Sequence, residues 1–112
     1  MTQERETQLK EFWSQKQPPL DSLSAPANFT ECIVVLNVLA EALKDMKTAE
    51  QCTSLLCKCA LIVVDFNALT ALKKVSTGEF LILSSQLDSI GQKVTAMQVE
   101  TRFPELKGDP RV

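Results

Sequence analysis

The sequence predicts an all-α fold: an antiparallel bundle of three long helices plus a short N-terminal helix, with coiled-coil-like packing. Three observations predict it. Apolar residues step by three and four along Phe29, Cys32, Leu36, Leu39, Leu43 and Met46, and again along Phe80, Leu83, Leu87, Ile90, Val94 and Met97. That is the period of about 3.5 residues that keeps one stripe turned towards a neighbouring helix. Three start signals of capping-box spacing, Asn28 with Glu31, Thr48 with Gln51 and Ser76 with Glu79, divide the chain at the places where such helices begin. Between them, the run from Leu55 to Val64 contains Lys58 as its only charge, which marks a helix destined for a packed interior.

The first element covers residues 1–16, where good helix formers carry Leu9, Phe12 and Trp13 on one side. It ends before Gln17-Pro18-Pro19, because proline fixes φ and disfavours helix in the residue before it. Residues 17–28, QPPLDSLSAPAN, form a Pro/Ser-rich linker. Helix 1 is therefore an arm. Phe12 and Trp13 either anchor a membrane or a partner or dock onto the chain's own bundle.

The bundle spans residues 29–103. Helix 2 starts at Asn28 as cap, and Ile33, Val34, Val35 and Val38 widen its stripe. β-branched residues lower helix preference, so a strand over Ile33–Val35 competes locally. The unbroken seam decides for helix. Helix 3 restarts at Thr48 and is expected to run to about Val75. It carries two apolar stripes, Cys52, Leu55, Cys59, Ile62, Phe66, Leu69 and Cys57, Leu61, Val64, Ala68, Leu72, Val75. A helix apolar over most of its circumference belongs in the middle of a bundle, contacted on several sides. Ser76 and Glu79 start helix 4 after a tight turn at Thr77-Gly78, and Gly91 inside it costs about 1 kcal/mol unless a neighbouring backbone needs the room. Residues 104–112, with Pro104, Gly108 and Pro110, read as a loose tail. The three long helices, about 19, 27 and 25 residues, correspond to roughly 28, 40 and 38 Å and pack best side by side.

Counting faces leads to function. Helices 2 and 4 each offer one seam, whereas helix 3 offers two, so three helices leave apolar surface open. A fourth is wanted, and helix 1 covers only about half the length of helix 3. The remainder points to self-association or to a partner helix, since monomers rarely expose large contiguous apolar patches. The expected partner-binding residues are Leu9, Phe12, Trp13, Leu61, Val64 and Leu72. The expectation is a non-catalytic protein-protein interaction module, an adaptor or scaffold subunit. Three alternatives stand beside it: a self-contained four-helix bundle, a small helical carrier of a lipid or other apolar ligand in the bundle interior, and a redox or metal switch through the cysteines.

Composition argues against most chemistry. Histidine and tyrosine are absent and there are 3 Gly, which removes the residues most used for acid-base catalysis, metal binding and phosphate cradling. No catalytic residue, cofactor or metal is expected, and the protein is not expected to be an enzyme. With 12 basic against 14 acidic residues and a net charge of -2, no electrostatic footprint for nucleic acid exists. The four cysteines lack metal-site geometry: at about 100° per residue Cys52 and Cys59 share a face while Cys57 points about 140° away. Cys32, Cys52 and Cys59 fall on the seams as small hydrophobes. The polar N-terminus is no signal peptide, and the apolar run at 55–64 is half of the roughly 20 residues that span a bilayer, so no transmembrane segment is expected. Asn28-Phe29-Thr30 matches a glycosylation acceptor by chance. An intracellular location, cytoplasm or nucleus, follows, with the thiols reduced.

Overall fold

The computed structural model describes residues 2–16 and 22–102. Among them are four α-helices, α1 (Gln3–Ser14), α2 (Phe29–Lys44), α3 (Ala49–Ala71) and α4 (Thr77–Arg102), one 3-10 turn at Ser22–Ser24, and no strand. The strand alternative for Ile33–Val35 is thus replaced by helix. Pro18 and Pro19 and the expected tail at 104–112 lie outside the described residues.

Helix starts follow the local chemistry closely. Thr48 Oγ1 accepts from the Gln51 N–H at 3.2 Å and Gln51 Oε1 accepts from the Thr48 N–H at 3.0 Å. Ser76 and Glu79 form the same reciprocal pair at 3.1 and 2.9 Å. Each box satisfies two backbone donors that the helix itself leaves orphaned. Asn28 Oδ1 caps α2 through the Glu31 N–H at 2.9 Å, but the Glu31 carboxylate reaches back to the Ala27 N–H instead of that of Asn28. Thr2 caps α1 in the same way, accepting from the Arg5 N–H at 3.1 Å.

Helix ends depart from expectation. α3 stops at Ala71, short of Val75, because the backbone turns left-handed at Lys73, φ 60°. The Lys74 N–H then donates to the Leu69 carbonyl at 2.9 Å and the Lys73 N–H to that of Thr70 at 3.1 Å, the double closure of a Schellman turn with lysine where glycine is usual. The reversal swings Val75 into the core. α2 likewise stops at Lys44, and the turn after it carries Met46 inward.

One core joins all four helices. The inner seam residues of α2 (Cys32, Leu36, Leu39), of α3 (Cys52, Leu55, Cys59, Ile62, Phe66, Leu69) and of α4 (Leu83, Leu87, Ile90, Val94) are buried together with Leu9 and Trp13 of α1. α3 packs chiefly on α4, α2 on α4, and α1 on α2. The four-residue connections around 45–48 and the turn at 72–76 make α2, α3 and α4 consecutive antiparallel hairpins.

α1 runs in the same direction as α2. Its start is tied to the start of α2, where Arg5 Nε and Nη2 donate to Glu31 Oε2 and Oε1 at 3.2 and 3.0 Å. Its last turn, at Ser14, shares a groove with Ala42 and Asp45 at the end of α2. The linker returns beneath it: Arg5 also donates to the carbonyls of Leu23 (2.7 Å) and Ala25 (3.0 Å), and the Trp13 indole N–H donates to the Ser24 carbonyl at 2.7 Å. The apolar widening of α2 explains the seat, since Val34 and Val38 floor the groove beside α1. Helix 1 therefore does not cover the second stripe of α3. Burial of Leu9 and Trp13 contributes about 1.5–3 kcal/mol each, which a twelve-residue helix needs because isolated helices of about that length are marginal in water.

Candidate interaction surface

Past Glu50 in its first turn, the face of α3 turned away from the core has no charge. Thr53, Cys57, Ala60, Val64, Asn67, Ala68 and Ala71 are exposed along it, and the two charged residues in the body of the helix, Lys58 and Asp65, sit on its flank, buried and half-buried. At about 100° per residue the exposed set centres roughly opposite the buried seam. Two of the exposed polar side chains donate back to their own helix: Asn67 Nδ2 to the Val63 carbonyl at 2.8 Å and Thr53 Oγ1 to that of Ala49 at 3.1 Å.

Of the six residues the sequence singles out, the structure separates two groups. Leu9 and Trp13 lie inside the chain's own core at 0% and 1% exposure, with Phe12 half-buried against it. The arm docks inward, because Trp13 finds both an apolar bed and a carbonyl for its indole N–H, and these residues are out of reach of a partner while α1 stays seated. Leu61 is half-buried, whereas Val64 and Leu72 are 66% and 68% exposed. The expectation that helix 3 is wrapped on nearly all sides is corrected here: within the chain its Cys52-to-Leu69 stripe is buried and Leu61 is partly covered, while Val64 and Leu72 stay open. Val63, Leu81 and Ile82 are exposed apolar residues as well. Sequence reasoning missed them, although Leu81 and Ile82 stand off the seam of α4 between Phe80 and Leu83, the signal by which they were detectable.

α3 is also the one helix among the described residues long and apolar enough, by length and composition, to cross a membrane. Its inner side nonetheless packs against α2 and α4, and Phe66 and Ile62 are fully buried there.

Two other features frame the surface. Lys58, only 5% exposed, reaches the end of α1, where its ammonium donates to the Gln15 carbonyl. Burial lowers its pKa, and the unsatisfied carbonyls of the helix end compensate the charge in part. This lysine lines a cavity of about 420 Å³ with Ser14, Asp45, Glu50 and Gln51. On the other side of α3, Leu56, Ala60, Val63 and Gly91 line a shallow groove against α4, with a volume of about 500 Å³.

The cysteines are free thiols; Cys32, Cys52 and Cys59 are buried and Cys57 is exposed. Burial, with Asp65 and Glu31 nearby, pushes Cys32 up to about 12, and burial pushes Cys59 up to about 11. Such thiols stay protonated and unreactive. Among the described residues, no three His, Cys, Asp or Glu side chains gather to hold a metal ion. Compared with known proteins, the chain matches no family model, no curated protein and no solved structure.

Proposed function

We propose that this protein is a non-catalytic protein-protein interaction module, an adaptor or scaffold-type subunit working inside the cell, in cytoplasm or nucleus. It acts by burying the open face of α3 against another helix, of a second copy or of a different protein. The observation that carries this reading is the outer face of α3, free of charge from Thr53 to Ala71, with Val64 on it and Leu72 just past the helix end both about two-thirds exposed. Surface so apolar on one side of an otherwise ordinary soluble chain marks a site of contact. α3 is read as a bundle helix and not as a membrane span, since leaving the bundle strips Ile62 and Phe66 from their bed and carries Lys58 and Asp65 into hydrocarbon.

A lipid carrier is the rival reading, and the groove between α1 and α2 speaks against it. The space of about 720 Å³ between α1 and α2 has Val34, Val38 and Ala42 in its lining, but also Glu6, Glu11, Glu41 and Asp45. Four carboxylates suit neither an acyl chain nor an anionic headgroup.

Placing a photo-crosslinking amino acid at position 64 in the full chain in its own cells tests the proposal, with position 93 as a control because Lys93 is exposed on α4. Discrete protein adducts at 64 and none at 93 are expected. Equal, diffuse labelling at both positions would refute it.

A further inference from the structure

We infer that the occupant of the α3 face is a second copy of this chain, packed antiparallel about a two-fold axis level with Ile62. This rests on the interaction-module reading above and names its partner. Along the exposed face, Thr53, Cys57, Ala60, Val64, Asn67 and Ala71 follow steps of 4, 3, 4, 3 and 4. The face thus carries a second heptad seam, independent of the one buried inside. Antiparallel packing pairs unlike seam residues, whereas parallel packing sets each seam residue against its own copy. Antiparallel pairing level with Ile62 sets Thr53 opposite Ala71 of the second copy, Cys57 opposite its Asn67, and Ala60 opposite its Val64. Every seam residue then meets another seam residue, and the small Ala60 receives the larger Val64 twice, as a two-fold contact requires.

Charge selects the same direction. α3 begins with Glu50 and is followed at its end by Lys73 and Lys74, all exposed. Antiparallel packing lays each acidic start beside the other copy's basic end, whereas parallel packing sets Glu50 against Glu50 and lysines against lysines. Within the chain Glu50 pairs with Lys16 at 2.9 Å, but the two side chains are 70% and 75% exposed, so the pair is easily exchanged. The interface is small. A helix of 23 residues is about 34 Å long and about 10 Å wide, covering on the order of 350 Å² per copy. That is under half of what a standard stable interface uses, which predicts a weak, reversible, micromolar dimer.

The test uses the full chain. Sedimentation at concentrations up to several hundred micromolar is expected to show a monomer-dimer equilibrium. Val64→Lys is expected to weaken it at least ~10-fold, as burying an unpaired charge does, while leaving circular dichroism and Trp13 fluorescence unchanged. Asn67→Cys reports direction: under mild oxidation it should give a covalent dimer bridging Cys57 to the new thiol of the other copy. The native chain should not cross-link, because antiparallel packing holds the two Cys57 residues roughly 15 Å apart along the axis, beyond disulfide reach. A monomer at every concentration, a dimer indifferent to Val64→Lys, or rapid Cys57-Cys57 cross-linking of the native chain would each overturn the inference. Photo-adducts at position 64 to a different protein alone leave the interaction module standing and remove the second copy; no adduct at all removes both.

Discussion

Replacing Trp13 by alanine tests whether α1 is part of the core or an outward arm. Trp13 is 1% exposed in the cluster that also holds Leu9, and its indole N–H donates to the Ser24 carbonyl at 2.7 Å. Truncating a buried tryptophan costs about 3–5 kcal/mol, a large part of the roughly 5–15 kcal/mol that holds a domain of this size. At about 4 °C per kcal/mol for such a chain, Tm should fall by roughly 12–20 °C. Trp13→Phe keeps most of the volume but loses the hydrogen bond and part of the ring packing, so about 1–3 kcal/mol is expected from that change. Fluorescence gives an independent reading, because the chain has 1 Trp and no Tyr. Native emission should be that of an apolar site, protected from iodide, and should shift red in one step with the loss of helix. A Tm fall of under about 3 °C for Trp13→Ala, with free quenching in the native state, would show that α1 is not seated on α2 and that Trp13 faces outward.

Four further outcomes are expected. Burial raises the pKa of Glu31, but the Arg5 hydrogen bonds and charge and the Ala27 N–H outweigh it, so the net shift is downward. A lowered carboxylate pKa stabilises the fold above the unfolded-state value of 4.5, and that contribution disappears as pH falls through the folded-state value. Glu31→Gln should therefore cost about 1.5–3 kcal/mol in urea unfolding at neutral pH, with the difference from the native chain shrinking as pH falls below 4.5 and through the lowered folded-state value; a gap that persists unchanged in acid would contradict the clamp. Lys73→Gly should stabilise by about 0.5–1 kcal/mol, because the left-handed backbone penalty on lysine exceeds the extra entropy of glycine. A Cβ on Gly91 meets nothing within 4 Å, so Gly91→Ala should add about 1 kcal/mol, and a loss instead would reveal a close neighbour. A maleimide should modify Cys57 quickly in the native chain, with Cys32, Cys52 and Cys59 reacting only on unfolding.

Local chemistry made most of the bundle legible. The capping residues Thr48, Gln51, Ser76 and Glu79 act within one turn of themselves, so their hydrogen bonds were readable from spacing alone. The inner seams were legible for a related reason: a strict step of three and four residues leaves one face for the core. What spacing did not carry was direction and partner. Nothing local to Leu9 or Trp13 says that α1 lies parallel to α2, because that placement depends on Arg5 reaching Glu31 and two linker carbonyls from the far end of the helix. The exit of α3 differs from the expected one because Lys73, at a position glycine usually occupies, gives no warning of a left-handed turn.

The sequence by itself determined that the chain is helical, where its helices start, which stripe of each turns inward, and that α3 has more apolar surface than one neighbour covers. Periodicity and capping are properties of a segment, and each segment carries them wherever it is packed. Only the tertiary structure decided which of the two stripes of α3 the chain covers for itself. That choice is a competition between faces: α1 found its bed on the valines of α2, and Val64 and Leu72 were left to water.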